Sequence, residues 1–197
     1  MVQATIDDDA LTSAIFEAFR KHGYEGATIS LLSSETGLKK SSLYHRFPAG
    51  KDDMARAAVT YVQIQIQQQM IIPLLNKNLA PEVRFSTMIA TARQFFVDGT
   101  KNCLLNVLSL GDVKLDIQQQ LNAIYDAFLY ALEKLAQEVG MSAHEAKLWA
   151  ERFLIFLEGA LVIQRLTKNK EMFIQQLQYE QQQFNQLIAK GAKHESN

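Results

Sequence analysis

The stretch from Thr28 to Lys51, TISLLSSETGLKKSSLYHRFPAGK, predicts two short helices joined by a tight turn. Thr28 is a good N-cap, because its side-chain oxygen can accept a hydrogen bond from a backbone N–H of the first helical turn. Gly37 ends the first helix, since glycine readily adopts the left-handed conformation that a helix end often needs. Leu38 follows the turn, where an apolar side chain can fill the space between the two helices. The pattern predicts a helix-turn-helix, followed at Lys51 by the start of another helix.

The second helix of this stretch, predicted from Lys39 to Phe47, combines an apolar face with a polar one. Leu43 and Phe47 lie four residues apart and therefore share a face. The polar side chains that lie mostly off this face are Lys40, Ser41, Tyr44 and His45. A short helix with basic, hydroxyl and aromatic side chains on its free side suits the major groove of DNA. The spacing alone also allows an ordinary helical hairpin whose polar face is solvated.

The charge distribution restricts where nucleic acid could bind. The chain has a net charge of −1, which excludes a generally basic coat, so DNA binding must come from a local patch. No acidic residue lies between Leu38 and Lys51, whereas residues 7–9 are all aspartates, so we expect no basic N-terminal arm. The cations of the local patch are Lys39, Lys40, Arg46 and Lys51.

Residues 37–47, GLKKSSLYHRF, followed by Pro48 and by Gly50-Lys51, resemble the N-terminal signature of the TetR family of bacterial transcription regulators. The Phe-Pro-x-Gly-Lys end of this run is similar to the branch of the family near the LmrA and YxaF repressors. The resemblance covers roughly the first quarter of the chain, and the remainder fits the family in helical pattern and length.

The chain departs from the family pattern at three positions of this region. Lys39 occupies a position where the family usually has Ser or Thr, so the usual cap of the recognition helix is missing. Ser33 and Thr36 occupy positions where the family usually has small alanines.

The resemblance implies an all-α protein with two domains. Residues 1–50 are expected to form a three-helix, helix-turn-helix DNA-binding domain, and residues 51–197 a helical effector-binding and dimerisation domain. The composition agrees with long helices in a globular chain, because 3 prolines and 9 glycines are few and 48% of the residues are hydrophobic.

Hydrophobic periodicity predicts helices along the whole chain. The first begins at the acids of residues 7–9 and ends at Gly23. Residues 63–66 alternate with a period of two, but they lie within a run of good helix formers, and an isolated strand would have no partner. Ser142 and Glu145 predict a capping box at one helix start. The helices expected after the helix-turn-helix span about 51–72, ending before Pro73, then 81–99, 102–110, 116–139, 142–166 and 170–189.

Cysteine usage and hydropathy indicate the compartment. Cys103 is the only cysteine, so no disulfide can form within the chain, which agrees with a reducing compartment. The N-terminus has no signal-peptide pattern. No stretch approaches the ~18 uninterrupted apolar residues of a membrane helix. We therefore expect a cytoplasmic protein that has no membrane partner.

The residues that could carry catalysis are scattered. No spacing typical of metal ligands, a phosphate-binding loop or a nucleophile elbow is present, so we expect no enzyme activity, no catalytic residues, no metal and no cofactor. Cys103 lies in an apolar context, where cysteine usually behaves as a small hydrophobe. A redox-sensing role for Cys103 would require a lowered thiol pKa, which a sequence does not show.

Large apolar side chains are abundant after residue 60, which fits either a packed core or a cavity with a few polar groups. Glu158 is either buried, in which case its carboxylate needs a partner, or exposed at a groove. In the cavity interpretation, a small, largely apolar effector binds among Tyr61, Phe95, Cys103, Asn106, Tyr125, Trp149 and Phe153.

The expected DNA contacts follow from helix starts and from the resemblance. A helix start can bind phosphate through its free backbone amides, and Thr28 and Lys51 lie at two such starts. Tyr44 is also expected to contact the DNA backbone, as the matching tyrosine does in the family. The side chains expected at base edges are Lys40, Ser41, Ser42 and His45, with Lys39 at the entry to the helix.

A single recognition helix reads only a few base pairs, so a specific site requires two copies. The helix predicted at 142–166 is apolar on more sides than one chain is expected to cover. In the family, the last two helices of each subunit pair as a four-helix bundle. The alternative is a monomer that covers this surface with its own helices. The expected interface residues are Phe156, Gly159, Ala160, Ile163, Phe173, Leu177 and Phe184.

Two functions remain. The resemblance implies a transcriptional repressor that binds a palindromic, double-stranded DNA operator as a homodimer and is released by a small, largely apolar ligand. The alternative is a helical interaction or small-molecule-binding protein in which the helix-turn-helix is only a scaffold. The basic patch around Tyr44 favours the regulator, because a scaffold gives no reason to group cations there.

Overall fold

The structure, a computed structural model, describes residues 7–194, and side chains are considered as far as residue 190. Within this range the chain forms helices and no strand. The helices are α1 (Asp8–Gly26), α2 (Ile29–Thr36), α3 (Lys40–Arg46), α4 (Lys51–Ile66), a π-helical turn (Gln67–Ile71), α5 (Ile72–Leu75), α6 (Pro81–Phe95), α7 (Leu104–Ser109), α8 (Leu115–Glu138), α9 (Ala143–Thr167) and α10 (Lys170–His194).

The chain divides into two compact units. The first consists of the chain up to Ile64 together with Cys103–Ala123, and the second of Gln65–Asn102 together with the chain from Ile124 onward. The first unit therefore contains the three N-terminal helices, most of α4, all of α7 and the start of α8. The domain boundary expected at residue 50 stays a prediction.

In the first unit, α1 packs on α2 and α7 through the apolar face that its sequence predicts. Leu11, Ile15 and Phe19 on this face are buried. Gly23, where we expected the helix to end, instead interrupts it: φ is +69° and ψ is −179° there, and the helical assignment resumes as far as Gly26. The glycine thus kinks the end of α1 where a non-glycine residue would be strained.

The helix that begins at Lys51 passes through Pro73, which corrects the expectation that it ends before this proline. Proline lacks an N–H, and its ring clashes with the carbonyl four residues earlier in a regular α-helix. Here the five residues before Ile72 form a π-helical turn, in which the Ile72 N–H donates to the Gln67 carbonyl. The wider turn changes the hydrogen-bonding register just before the proline, so the helical path continues to Leu75.

A cluster of aromatic rings forms the centre of the second unit. The ring of Phe85 lies 5.5 Å from Trp149, 5.4 Å from Phe153 and 4.5 Å from Phe184, measured between ring centroids. These residues come from α6, α9 and α10, so the cluster joins three helices. Aromatic pairs at such distances add to the free energy of simple apolar burial.

The packing of α10 corrects part of the expected dimer interface. Phe173, Leu177 and Phe184 are 0% exposed within the single chain, because α10 turns its apolar stripe onto α6 and α9 of the same chain. These side chains therefore have no surface left to bury against a second chain. Ala160 on α9 is also buried, at 7% exposure, so its side chain offers little to a partner.

Most of the remaining boundaries agree with the periodicity to within a few residues. The capping box predicted at Ser142 is present, because the side chain of Ser142 accepts from the Glu145 N–H and the Glu145 carboxylate accepts from the Ser142 N–H. The helix expected to reach Gly99 ends at Phe95 instead. Val97 and Asp98 adopt positive φ values there, and the Asp98 carboxylate accepts a 2.8 Å hydrogen bond from Arg93.

None of the helices within residues 7–194 is both long enough and apolar enough to cross a membrane. Over the same residues, no three His, Cys, Asp or Glu side chains are grouped as ligands of a metal ion would be.

We predict that Phe85→Ala lowers the free energy of unfolding by about 3–5 kcal/mol, because it removes the ring that touches three others and leaves a cavity. The matched control is Val83→Ala on the same helix, since Val83 is 43% exposed and its loss should change stability by about 0.5 kcal/mol or less. Urea denaturation of both variants measures the difference. Equal effects of the two substitutions would contradict a core centred on Phe85.

Candidate DNA-binding site

The turn between α2 and α3 sets the geometry of the candidate site. Thr28 caps α2 as its sequence predicts, since its hydroxyl oxygen accepts a 3.2 Å hydrogen bond from the Leu31 N–H. Gly37 adopts the left-handed conformation, with φ +70° and ψ 5°. Leu32 of α2 and Leu43 of α3 are fully buried and hold the two helices against the rest of the unit. Leu38, expected as the buried plug, is half-buried.

Two hydroxyl groups fix this turn, and both belong to residues at which the chain departs from the family pattern. The Ser33 hydroxyl donates a 2.6 Å hydrogen bond to the Leu38 carbonyl. The Thr36 hydroxyl donates to the Leu32 carbonyl at 2.7 Å and accepts from the Leu38 N–H at 3.4 Å. Both polar groups of the Leu38 backbone are thus satisfied by side chains. Sequence reasoning missed this role, although hydroxyl side chains close to a turn glycine are a known signal for such bonds.

The polar face of α3 is open to solvent. Lys39 occupies the N-cap position and makes no side-chain cap bond, as the missing Ser or Thr predicts. Leu43 is buried and Phe47 half-buried, so the apolar face points inward. Ser42 is half-buried, and the exposed side chains of this face are Lys39, Lys40, Ser41, Tyr44 and His45.

Tyr44 lies between α3 and the start of α4. A Cβ atom added to Gly50 would come within 3.1 Å of the Tyr44 ring, so the ring packs closely on the Gly50 backbone. Gly50 has φ +66°, which closes the turn between the helices, and its N–H donates to the Phe47 carbonyl at 2.8 Å. Tyr44 is still 48% exposed, so its hydroxyl end remains available beside the start of α4.

The start of α4 carries one cation and two acids. The Asp53 carboxylate accepts a 2.6 Å hydrogen bond from the Ala49 N–H and lies 3.0 Å from Arg56. The Asp52 carboxylate accepts from the hydroxyl of Tyr24. Both acids are therefore engaged within the unit, and Arg56 offsets the charge of Asp53.

The Lys51 ammonium is held at the start of α4 by the end of α1. It donates to the Tyr24 carbonyl at 3.1 Å, lies 3.8 Å from a Glu25 carboxylate oxygen and sits 4.0 Å from the centre of the Tyr24 ring. The Lys51 side chain is 26% exposed, so it is held by these contacts and still reaches solvent. Local sequence patterns do not predict this arrangement, because Tyr24 and Lys51 are 27 residues apart.

A second cation of the basic patch is also paired. Arg46 donates to the carboxylate of Asp8 at 2.6 Å. The acidic start of α1 thus draws one cation away from the polar face of α3. Lys39 and Lys40 keep their charges in solvent on that face.

The residues expected around an effector are distributed over both units. In the first unit, Tyr61 packs on Phe16 at a ring distance of 5.3 Å, Cys103 is buried and Asn106 is half-buried. In the second unit, Trp149 and Phe153 belong to the aromatic cluster, with ring centroids 6.0 Å apart. Phe95 is half-buried and Tyr125 is 42% exposed. The effector pocket stays a prediction.

A groove in the second unit is lined by one of the residues expected around the effector. It has a volume of about 410 Å³ between α9 and α10, and Trp149 contributes to its lining. The other polar side chains in the lining include Glu145, Arg152, Gln183 and Gln186. Glu158, which we expected either buried or at a groove, is half-buried.

One face of α9 leaves large apolar side chains in solvent. Ile155 is 72% exposed and Leu166 is 77% exposed, and Gly159 between them has open space around the position of a Cβ atom. Phe156 of the expected interface is half-buried. The exposed large apolar residues of this helix are Leu148, Ile155, Val162, Ile163 and Leu166.

Comparison with known families identifies the N-terminal region. The family described as bacterial regulatory proteins, tetR family, matches residues 11–58. This segment contains most of α1, all of α2 and α3, and the first half of α4. The resemblance predicted from residues 37–51 is confirmed.

Two curated relatives from Bacillus subtilis (strain 168) match the same end of the chain. The uncharacterized HTH-type transcriptional regulator YxaF is 43% identical over 56 residues, which cover 26% of this chain and 29% of YxaF. The HTH-type transcriptional regulator LmrA is 34% identical over 62 residues, covering 32% of this chain and 33% of LmrA. The matches thus span about a third or less of either relative.

Solved structures extend the likeness of fold to nearly the whole chain. A TetR transcriptional regulator from Legionella pneumophila has a TM-score of 0.80 at 15% identity and covers 92% of this chain and 99% of its own. The regulatory protein TetR from Rhodobacter sphaeroides has a TM-score of 0.77 at 19% identity, covering 90% and 98%. The regulator CifR, solved as a cysteine mutant with 26-bp operator DNA, has a TM-score of 0.73 at 16% identity, covering 91% and 98%. The predicted all-α fold, a helix-turn-helix followed by a helical domain, is confirmed.

Proposed function

We propose that this chain, whose residues 11–58 match the family of bacterial regulatory proteins called the tetR family, is a transcriptional regulator that binds double-stranded DNA through α3 and the starts of α2 and α4. The observation that carries the proposal is the solvent-exposed polar face of α3. This face presents two exposed lysines, hydroxyl groups and a histidine, and it lies opposite a buried apolar face. A helix of this kind fits the major groove, where base edges offer hydrogen-bond acceptors and donors. We propose no enzyme activity for the chain.

The contacts divide into those that position the protein and those that read sequence. Thr28 and Lys51 lie at helix starts, and Tyr44 lies beside the second of them, so these three are assigned to phosphates. The Lys51 ammonium has three N–H donors, of which one reaches the Tyr24 carbonyl, so others remain for a phosphate. The side chains assigned to base edges are Lys40, Ser41, Ser42 and His45, with Lys39 at the entry.

We predict that Lys51→Ala weakens binding about equally to a selected operator and to random DNA, because a phosphate contact carries no sequence information. It should also reduce the slope of log affinity against log salt concentration by about one per subunit.

Lys40→Ala should instead weaken operator binding by about 1–3 kcal/mol, through the base pair that Lys40 contacts, and should affect binding to random DNA less. Gel-shift titrations, with an operator selected from a random-sequence library, measure both.

Lys134→Ala is the matched control for charge, since Lys134 is exposed on α8 outside the candidate site, and it should leave both affinities unchanged. Unchanged affinity for both Lys51→Ala and Tyr44→Ala would contradict the assignment of phosphate contacts. Failure to enrich any sequence from the library would favour the alternative, in which the helix-turn-helix is only a scaffold.

We propose that the regulator acts as a homodimer on a palindromic operator, with half-sites about one or more turns, ~34–36 Å, apart. The exposed apolar residues of α9 support this. Leu148, Ile155, Val162 and Leu166 recur at spacings of seven, seven and four residues, which places them with Gly159 along one stripe of the helix. A large apolar stripe in solvent is typical of a surface that a partner covers. The revised interface is therefore formed by α9, while the buried stripe of α10 supports α9 from within the chain.

We predict that Ile155→Glu converts the dimer to a monomer and weakens operator binding, because the charge would be buried unpaired in the interface. Leu79→Glu is the control, since Leu79 is 44% exposed outside this stripe and should leave assembly unchanged. Sedimentation at micromolar concentration measures the assembly state of each protein. A monomeric wild-type protein with intact operator affinity would show that the interface is wrong.

We further propose that the protein is a repressor released from its operator by a small, largely apolar ligand. The supporting observation is the supply of aromatic side chains in the helical body, several of them only half-buried. A ligand shifts the DNA-binding equilibrium only by the difference in its affinity for the two states, so binding and release must be coupled.

We predict that a screen of aromatic and cationic compounds identifies a ligand that raises the melting temperature and releases operator DNA. Tyr125→Ala should weaken both effects, because Tyr125 belongs to the proposed lining and is exposed enough to be truncated without unfolding. Tyr130→Ala, on the same helix and 53% exposed, is the control and should respond as wild type. A ligand that releases DNA equally from both variants would contradict the proposed lining.

A further inference from the structure

Tyr24 connects the end of α1 with the first two residues of α4. Its side chain is buried, at 8% exposure, and its ring stacks on Phe19 with a centroid distance of 6.3 Å. The hydroxyl group donates to the carboxylate of Asp52. The ring faces the Lys51 ammonium at 4.0 Å, and the Tyr24 carbonyl accepts from the same ammonium at 3.1 Å. One residue therefore contacts the start of α4 through its ring, its hydroxyl and its carbonyl.

The phenol of Tyr24 is a stable donor. Burial, and then the hydrogen bond to Asp52, raise the pKa of the Tyr24 phenol above its ordinary value. The hydroxyl group therefore stays protonated and keeps donating to the Asp52 carboxylate. Hydrogen bonds from a neutral donor to a charged acceptor are stronger than those between neutral groups.

Tyr24 is also packed against the segment that joins α7 to α8. A Cβ atom added to Gly111 would lie 2.7 Å from the Tyr24 Cβ, so the Gly111 backbone is in direct contact with Tyr24. Beside it, the Asp112 N–H donates to the Glu25 carboxylate at 3.3 Å. Only a glycine allows this approach without moving Tyr24.

We infer that Tyr24 is a positioning residue for DNA binding, which transmits the position of the Gly111 segment to Lys51 at the start of α4. This inference rests on the proposed function, in which Lys51 contacts a phosphate. Tyr24 is buried and touches both Gly111 and Lys51, so a shift of Gly111 displaces the ring against which the Lys51 ammonium lies. A displacement of the α7–α8 connection therefore reaches the start of α4 through Tyr24. Glu25, which accepts from the Asp112 N–H and lies 3.8 Å from the Lys51 ammonium, is a second and more exposed link.

The first test removes only the hydroxyl group. Tyr24→Phe keeps the ring and the backbone carbonyl, so the fold should survive, while the bond to Asp52 is lost. Operator affinity should fall about fivefold, within the range of coupling energies between contacting residues. In a Lys51→Ala background the same substitution should change affinity less than about twofold, because the residue it positions is gone. Tyr130→Phe is the control and should have no effect in either background.

The second test displaces Tyr24 through its contact with Gly111. Gly111→Ala inserts a methyl group where there is no room, so Tyr24 must move. Operator affinity should fall at least as far as in Tyr24→Phe, and this loss should also disappear in the Lys51→Ala background. Thermal unfolding of each variant establishes that folded protein is being compared. A loss of affinity that is equally large with and without Lys51 would overturn the inference, since Tyr24 would then be merely part of the core.

A measurement without DNA separates this inference from the proposed function. The rate at which an amine-acylating reagent modifies Lys51, followed by mass spectrometry against Lys134 as reference, reports how Lys51 is held. Both Tyr24→Phe and Gly111→Ala should raise the rate at Lys51 alone, by about twofold or more. Unchanged rates in both variants would overturn the inference even if the protein binds an operator. Raised rates in a protein that binds no DNA would support the mechanical link and reject the proposed function.

Discussion

The left-handed turn at Gly37 is the constraint on which the proposed DNA-binding surface depends. It allows α3 to leave α2 within three residues, so that Leu32 and Leu43 are buried on one side. The polar side of α3 must then face solvent. Ser33 and Thr36 satisfy the backbone N–H and carbonyl of Leu38, the residue after the glycine, so neither of these two groups is left unpaired. Removing these hydroxyls would loosen the turn without touching a residue assigned to DNA.

The four cations of the basic patch divide into paired and exposed groups. Arg46 is paired with Asp8 and Lys51 is held by Tyr24, whereas Lys39 and Lys40 are left in solvent. The paired cations hold neighbouring helices together. The cations that face solvent are available to phosphates and base edges. A chain with a net charge of −1 can therefore still present a basic face, formed by the exposed lysines of α3. The pairing also makes the position of Lys51 depend on α1, which a list of basic residues does not indicate.

Much of the fold could be predicted from the sequence, because it depends on local patterns. Thr28, Gly37 and the capping box at Ser142 each act within a few residues, and all three are confirmed. The π-helical turn before Pro73 could not be predicted, since periodicity of 3.6 residues does not describe it. The helix end at Phe95 was missed because two non-glycine residues adopt positive φ there.

The location of the predicted sites depends on which face of each helix is buried by the rest of the chain. The predictions were weakest on this point. The apolar stripe of α10 fits a partner chain and the chain's own core equally well, and burial of Phe173, Leu177 and Phe184 decides for the core. The contacts of Tyr24 join residues far apart in sequence, so no spacing rule reveals them. For α3, in contrast, the four-residue spacing of Leu43 and Phe47 was enough to predict the exposed face correctly.

Backbone hydrogen exchange, with and without an operator selected from a random-sequence library, tests the proposed DNA-binding surface most directly. Phosphates that bind at the starts of α2 and α4 would cover backbone amides there, and α3 would be covered in the groove. DNA bound at this surface should slow exchange chiefly within residues 28–54. Operator binding with protection confined to other parts of the chain would contradict it.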